Sequence, residues 1–284
     1  MKTINRDSLI QTVRNMVIQA ATILNPLVIQ KLKDAEKQET SSLAKNVLKS
    51  ICDNAAIAKN DNIPMCQDTG VAVFFLHIGN ELFFPYSLYE AIQEGTRQGY
   101  LDGYLRKSVV AHPLERINTK DNTPAIIHTE LAMGDTLDIC FAAKGAGSEN
   151  MSRLTMLTPA DGEKGVKDFV LETIRLAGGK PCPPIIVGIG IGGNFEKCAY
   201  LAKTALMRPL DDEAANPIDR RLENELLEAI NALGIGPMAF GGKTTCLQVK
   251  VNSYPCHIAS LPVAVNIQCH AARETHVILK GEDL

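Results

Sequence analysis

Residues 181–193 read Pro-Cys-Pro-Pro-Ile-Ile-Val-Gly-Ile-Gly-Ile-Gly-Gly. The run 184–191 is short, apolar and rich in β-branched residues, which predicts a buried strand. The prolines on both sides of Cys182 fix the backbone and remove donors, so the thiol is held rigidly at the strand entrance. A helix is expected directly afterwards, over 196–207. Strand and helix alternate around this centre. A helix over 165–176 is stopped by Gly178-Gly179. Pro217, at a first-turn position, opens another, which Gly234 closes. Strands are expected at 247–251, 261–267 and 277–280.

The first sixty residues read as helices. Leu9, Ile10, Val13, Met16, Val17, Ala20, Ala21 and Leu24 recur at helical spacing. Asn25-Pro26 interrupts them, and a second helix runs through Leu32 and Ala35. Thr40-Ser41-Ser42 offers an N-cap for a third, with Leu43, Val47, Leu48, Ile51 and Ala55 inward. A buried strand is expected over 71–78 and a helix over 86–100. Strands at 125–131 and 136–143, joined through Gly134-Asp135, read as a hairpin. Together these predict a mixed α/β (α+β) fold with a helical N-terminus and two lobes, 1–155 and 156–284.

The length of 284 residues suits one large domain or two lobes. A hydrophobic content of 45% and a charged content of 21% exclude a disordered chain. The net charge of −3, with no run of Lys or Arg, argues against nucleic acid or acidic lipid as partner. The charge-free stretch 15–30 contains Asn15, Gln19, Asn25 and Pro26, so neither a signal peptide nor a membrane span is expected. A cytoplasmic location follows.

In a reducing compartment the eight cysteines are not expected to pair. No CxxC occurs. Cys52, Cys140, Cys198, Cys246 and Cys256 lie in or beside helix- and strand-like runs and read as packing residues. Three others sit at turns or strand ends. Cys66 lies in Ile63-Pro64-Met65-Cys66-Gln67-Asp68-Thr69-Gly70, a turn bracketed by Pro64 and Gly70. Cys182 is flanked by prolines, and Cys269 follows the 261–267 strand in Asn266-Ile267-Gln268-Cys269-His270. Their spacing fits no local metal knuckle; they meet only through the fold. Three thiolates on a cubane cluster would leave one iron open for Lewis-acid chemistry.

The segments IPMCQDTG, NTKDNTPA, AKGAGSEN, PCPPIIVGIGIGG, GIGPMAFGGKTT and HIASLPVAVNIQCHAAR occur in this order. Together they resemble the α-subunit, or N-terminal region, of class I iron–sulfur fumarate hydratases, and the related L-tartrate dehydratase α-subunit. The likeness spans nearly the whole chain. It implies an iron–sulfur hydro-lyase catalytic region over 1–284, with strands around a [4Fe–4S] cluster held by Cys66, Cys182 and Cys269. Cys256 is the rival for the third ligand. The resemblance places Gln67, Asp68 and His257 in catalysis. It places Arg106, Gly145, Gln67 and His257 on a small dicarboxylate substrate, with Lys107 the rival of Arg106 and Gly147 of Gly145.

Chemistry makes sense of these types. Water is a poor leaving group, and an open iron acts on it as Lewis acid and template. An arginine fork is the bidentate clamp for a carboxylate, glycine N–H groups approach one closely, and a histidine can donate a hydrogen bond to the second. The implied reaction is the oxygen-sensitive, reversible hydration of fumarate to (S)-malate, with L-tartrate dehydration as the alternative. The chain stops fifteen residues after Cys269, where single-chain members continue. The resemblance therefore implies a separate β-subunit carrying the rest of the active site, in a homo- or hetero-oligomer.

Two motifs compete. Gly188-Ile189-Gly190-Ile191-Gly192-Gly193 matches GxGxxG, a fingerprint of NAD-binding oxidoreductases. A second strand is missing before the acidic residues 211–213, and glycines that pack a strand against a helix explain the motif equally well. Gly241-Gly242-Lys243-Thr244 resembles a phosphate loop, but Pro237 stands where its leading glycine is required. A cluster-bearing redox sensor is the remaining alternative.

Overall fold

The computed structural model describes residues 1–284. The elements of the first half are β1 (Lys2–Thr3), α1 (Arg6–Thr22), α2 (Pro26–Gln38), α3 (Ser42–Asp61), β2 (Val71–Gly79), α4 (Leu88–Asp102), β3 (Ile126–Ala132) and β4 (Thr136–Lys144). There follow α5 (Ala146–Glu149), β5 (Arg153–Leu157), α6 (Gly162–Ala177), β6 (Ile185–Gly192), α7 (Phe195–Leu206), α8 (Pro217–Asn231), β7 (Cys246–Tyr254), β8 (Leu261–Gln268), β9 (Glu274–Lys280) and β10 (Glu282–Asp283). The mixed α/β class and the helical N-terminus are as expected. No helix is long and apolar enough to cross a membrane.

The chain divides into two compact units, each discontinuous in sequence. Unit 1 comprises Met1–Asn25, Asn54–Ala146 and Ala272–Leu284; unit 2 comprises Pro26–Asp53 and Gly147–Ala271. The passage at Ala146/Gly147 lies near the expected boundary. The passages after Asn25, Asp53 and Ala271 were not foreseen. The last of them follows from β9, which pairs with β4 and so returns the C-terminal segment to unit 1.

Unit 1 is built on a sheet of order β3-β2-β4-β9. Strand β2 is parallel to β3 and antiparallel to β4, and β4 is antiparallel to β9. Helices α1 and α4 cover one face. Leu9, Val13 and Met16 of α1 and Ile92 and Tyr100 of α4 share a core with Phe74, Leu76, Leu137 and Phe141. Asn5 caps α1 by accepting from Asp7 and Ser8, and Ser87 caps α4. The hairpin expected of β3 and β4 does not form, because β2 lies between them. A run as apolar as Val71–Gly79 is best satisfied with a neighbour on each side. The Gly134 turn is tied to the end of β2 instead: Glu81 N–H donates to the Gly134 carbonyl (3.0 Å) and Asn80 Oδ1 accepts from Gly134 N–H (3.0 Å).

Unit 2 carries a sheet of order β5-β8-β6-β7, with β6 parallel to β7 and antiparallel to β8. Residues Val187, Ile189, Val249, Val251, Val265 and Ile267 form a core with α6 and α8. Helix α7 lies on the opposite face. A Cβ on Gly188 would fall 2.2 Å from the Ala202 carbonyl oxygen, and one on Gly190 would fall 2.0 Å from that of Cys198. The GxGxxG spacing therefore serves the packing of β6 against α7. Helix α3 opens as expected, with Ser41 Oγ accepting from Ala44 N–H. Leu48, Ile51 and Ala55 turn inward as expected and Val47 is half-buried, while Leu43, expected inward, is exposed and Ala44 takes its place.

The Gly241-Gly242-Lys243 loop is wrapped around an internal anion. The buried Glu39 carboxylate accepts from Thr40, Ser41 and Lys243 N–H at 2.8, 3.1 and 2.7 Å. Burial alone would raise the Glu39 pKa. The three backbone hydrogen bonds and the Lys243 charge outweigh it and hold the carboxyl below its ordinary range.

Two outcomes follow. Gly190→Val should cost about 3 kcal/mol by overpacking, read as a lower midpoint in chemical denaturation. Glu39→Ala should cost about 3 kcal/mol by leaving three N–H groups unsatisfied. Because the folded-state pKa of Glu39 lies below the unfolded one, its contribution is complete above the unfolded glutamate pKa and fades as pH falls through the folded value. Wild type and Glu39→Ala should therefore converge in stability on acidification, measured by urea unfolding between neutral pH and pH 3.

Candidate active site

In unit 1 one end of the sheet gathers several of the expected residues. Val71 pairs with Lys144, so the loop entering β2 and the segment leaving β4 are neighbours. Ala142 pairs with Glu274, so the turn before β9 reaches the same end. The loop starts pinned: Met65 N–H donates to the Ala21 carbonyl (3.0 Å) and Asn54 Nδ2 to the Met65 carbonyl (2.8 Å). Cys66 and Asp68 are then half-buried and Gln67 is exposed. Asp68 Oδ1 accepts from Gly70 N–H (3.1 Å) and Oδ2 from Ala146 N–H (2.8 Å). Two backbone dipoles thus fix the carboxylate.

Arg106 is exposed, and its backbone is anchored beside Asp68: Thr69 Oγ1 donates to the Arg106 carbonyl (2.5 Å). Asn122 holds the same loop, accepting from Ser108 N–H and donating to the Gly70 carbonyl (3.1 Å). The buried Tyr100 hydroxyl donates to the carbonyls of Thr69 (2.9 Å) and Gly70 (3.1 Å). Burial raises the Tyr100 pKa far above its ordinary value, so it acts as a donor. Gly145 leaves room where a Cβ would come within 3.1 Å of both Arg273 Nη2 and Asp68 Oδ2. The structure thus brings Cys66, Gln67, Asp68, Arg106 and Gly145 together. It adds Tyr100, Asn122 and Arg273, which the sequence did not single out.

In unit 2 the same principle applies. Ile186 pairs with Gln268, which puts the entrance of β6 and the exit of β8 at one sheet end. Cys182 and Cys269 lie there, both half-buried. His270 Nδ1 lies 2.8 Å from the Cys182 carbonyl oxygen and ties the two segments together. Cys182 has φ +57°, a left-handed conformation that a non-glycine residue adopts at a cost, and one concentrated at functional sites. Gln268 is 1% exposed, with neither amide atom hydrogen-bonded. Neither unit by itself gathers three His, Cys, Asp or Glu side chains close enough to hold a metal ion.

His257 is placed elsewhere. It lies in the exposed loop between β7 and β8, accepting through Nδ1 from Ala259 N–H (3.1 Å). The eight residues of β8, about 26 Å of strand at ~3.3 Å each, separate that loop from Cys269. Lys107 is half-buried, its carbonyl accepting from Asn118 Nδ2 (2.9 Å), and Gly147 belongs to unit 2.

None of the eight cysteines forms a disulfide. Cys198 and Cys246 are buried packing residues, and Cys52 and Cys140 are half-buried. Burial pushes the Cys246 and Cys140 thiols up to about 12. Cys256 departs from the packing expectation: it is exposed, in the His257 loop, with its thiol donating to the Ser260 carbonyl (3.3 Å). It lies beyond the end of β7 at Tyr254, in the loop that leads to β8.

Comparison with known proteins joins these residues to a family. The model for Fumarate hydratase (Fumerase) matches residues 10–278. The chain belongs to the fumarate hydratase family. As a member of that family it is a hydro-lyase, an enzyme that adds or removes water. A Methanocaldococcus jannaschii protein named "Putative L(+)-tartrate dehydratase subunit alpha" is 47% identical over 262 residues, covering 90% of this chain and 92% of its own. The L(+)-tartrate dehydratase subunit alpha of Escherichia coli O157:H7 is 30% identical over 280 residues, covering 97% and 92%. That of E. coli strain UTI89 is 31% identical over 286 residues, covering 98% and 94%. The likeness covers almost the whole length of each.

Thiol accessibility should follow the burial. Alkylation of the native apoprotein at pH 8 should modify Cys256 at once and spare Cys198 and Cys246 until denaturant is added. Peptide mass mapping reads this, and rapid native labelling of Cys246 would contradict the packing.

Proposed function

We propose that this chain is the α-subunit of an iron–sulfur hydro-lyase acting on a four-carbon 2-hydroxy dicarboxylate. The observation that carries the reading is the loop Cys66-Gln67-Asp68, fixed at one sheet end beside Arg106 and Gly145 within a fumarate hydratase family chain. The donor set fits a [4Fe–4S] group. Cys66, Cys182 and Cys269 are half-buried thiols outside any disulfide, two of them at one sheet end. The partnerless Gln268 amide beside Cys269 suits a site that receives a further group. We assign these three cysteines as the ligands. When bound, such a cluster supplies Lewis-acid chemistry toward a substrate hydroxyl.

The chain's own residues would do the rest of its share. Arg106 offers a planar fork to a substrate carboxylate. Gln67, exposed beside it, offers one donor and one acceptor. Asp68 is the candidate to carry a proton at its carboxylate, which the amides of Gly70 and Ala146 aim. Gly145 keeps the approach clear of a side chain. The resemblance also assigns His257 to the substrate, although within unit 2 it stands far from Cys182 and Cys269. The relatives carry the name subunit alpha, which supports a separate β-subunit partner.

Two substrates stand side by side. Hydration of fumarate to (S)-malate is one reading, supported by the family description fumarate hydratase. Dehydration of L(+)-tartrate is the other, supported by the names of the relatives. Anaerobic co-expression with the cognate β-subunit and assay of fumarate, (S)-malate and L(+)-tartrate decides between them by the ratio of kcat/KM values. The complex should carry about four irons per α-chain and lose activity in air. Cys66→Ser, Cys182→Ser and Cys269→Ser should each lose the iron, while Cys198→Ser and Cys256→Ser keep it. Arg106→Ala should lower kcat/KM about tenfold or more with the iron intact, matching a lost charge-assisted contact. Full iron in all three ligand variants, or near-wild-type turnover by the α-chain alone, would overturn the assignment.

A further inference from the structure

Arg273 stands in the turn before β9 and is the largest fully buried side chain of the protein, 2% exposed. Its Nη1 donates to the Asp68 carbonyl. Its Nη2 lies against Gly145, at the point where a Cβ would also meet Asp68 Oδ2. Its Nε has no hydrogen-bond partner. The backbone holds the arginine there, because Ala143 N–H donates to its carbonyl (2.9 Å).

Stability alone is a poor reason for such a residue. A buried cation carries a desolvation cost, and well-packed apolar replacements of buried ions are often neutral or stabilising. An unpartnered Nε adds to that cost. What the arginine does achieve is a clamp. It grips the Asp68 main chain at its carbonyl, while the Gly70 and Ala146 amides each hold one oxygen of its carboxylate.

We propose that Arg273 is a positioning residue for the reaction, acting through Asp68. It holds the Asp68 carboxylate in the one orientation that Gly70 and Ala146 can also satisfy, and Gly145 is small so that the guanidinium fits. This rests on the hydro-lyase reading, in which Asp68 meets substrate.

The test uses the full chain with its β-subunit and cluster. Arg273→Lys keeps the charge but has no planar fork to reach both the Asp68 carbonyl and the space at Gly145; Arg273→Met removes the charge. Both should lower kcat about tenfold or more while KM stays within about threefold and iron content is unchanged. In an Asp68→Asn background, Arg273→Lys should add less than about a twofold further loss, because the residue it positions is already disabled. A purely structural arginine would give multiplying losses. Hydrogen exchange supplies a reading that does not depend on turnover: the Gly70 and Ala146 amides should exchange at least about tenfold faster in Arg273→Lys, with β6 and β8 unchanged. Wild-type kcat in Arg273→Met, multiplying losses in the double variant, or unaltered exchange at Gly70 and Ala146 would each overturn the proposal. A wild-type complex that turns over neither fumarate nor tartrate would sink the hydro-lyase reading, and the exchange measurement would still decide whether Arg273 positions Asp68.

Discussion

The antiparallel register of β4 between β2 and β9 is the constraint on which the candidate site of unit 1 depends. Val71 opposite Lys144 brings the Cys66–Gly70 loop to the Gly145–Ala146 segment. Ala142 opposite Glu274 brings Arg273 to both. A slip of one residue would turn every side chain of β4 to the other face and move Gly145 away from Asp68. The register is secured by burial, since Leu137, Ile139 and Phe141 must face α1 and α4, with Phe141 against Phe74 at 4.9 Å between ring centroids. The hydrophobic effect thus sets the geometry of a polar site it does not touch.

Unit 2 uses the same device with different chemistry. The β6–β8 register brings Cys182 and Cys269 to one sheet end. That register is held on one face by aliphatic packing and on the other by backbone contact with α7 at Gly188 and Gly190. The edge strand β7 is protected from stray pairing. Glu223 accepts from Val251 N–H (2.8 Å), and Arg208 donates to the Val251 carbonyl (2.9 Å) while pairing with Glu223 and Asp212. Lys250, fully buried, ends on Asp212. These buried and half-buried charges satisfy one another against Lys250 and Val251 of β7, away from the cysteine end, which marks them as structural.

Local signals were legible where one segment decides its own state. The cap at Ser41, the stop at Gly178 and the start at Pro217 all act within a turn or two. The glycines of 188–193 were read as packing residues as readily as a nucleotide loop, and their distances to α7 favour the packing. Misreadings arose where a neighbour distant in sequence intervenes. Gly134-Asp135 has the composition of a hairpin turn, yet β2 enters between the strands it joins. Cys256 was read as packing beside the strands at 247–251 and 261–267, and only the fold shows the loop between them to be exposed.

The sequence by itself determined the helices, most strands, the family and the residue types of the candidate site, because periodicity, capping and motif order are local and additive. Only the tertiary structure decided the strand order, the discontinuous units and the company each site residue keeps. Arg273 shows why. In sequence it closes the segment HIASLPVAVNIQCHAAR after two alanines, and nothing in that segment says what its cation does. Its burial and its grip on Asp68 come from pairing across some two hundred residues, where a cation's meaning depends on which carbonyl and which missing Cβ the fold sets beside it.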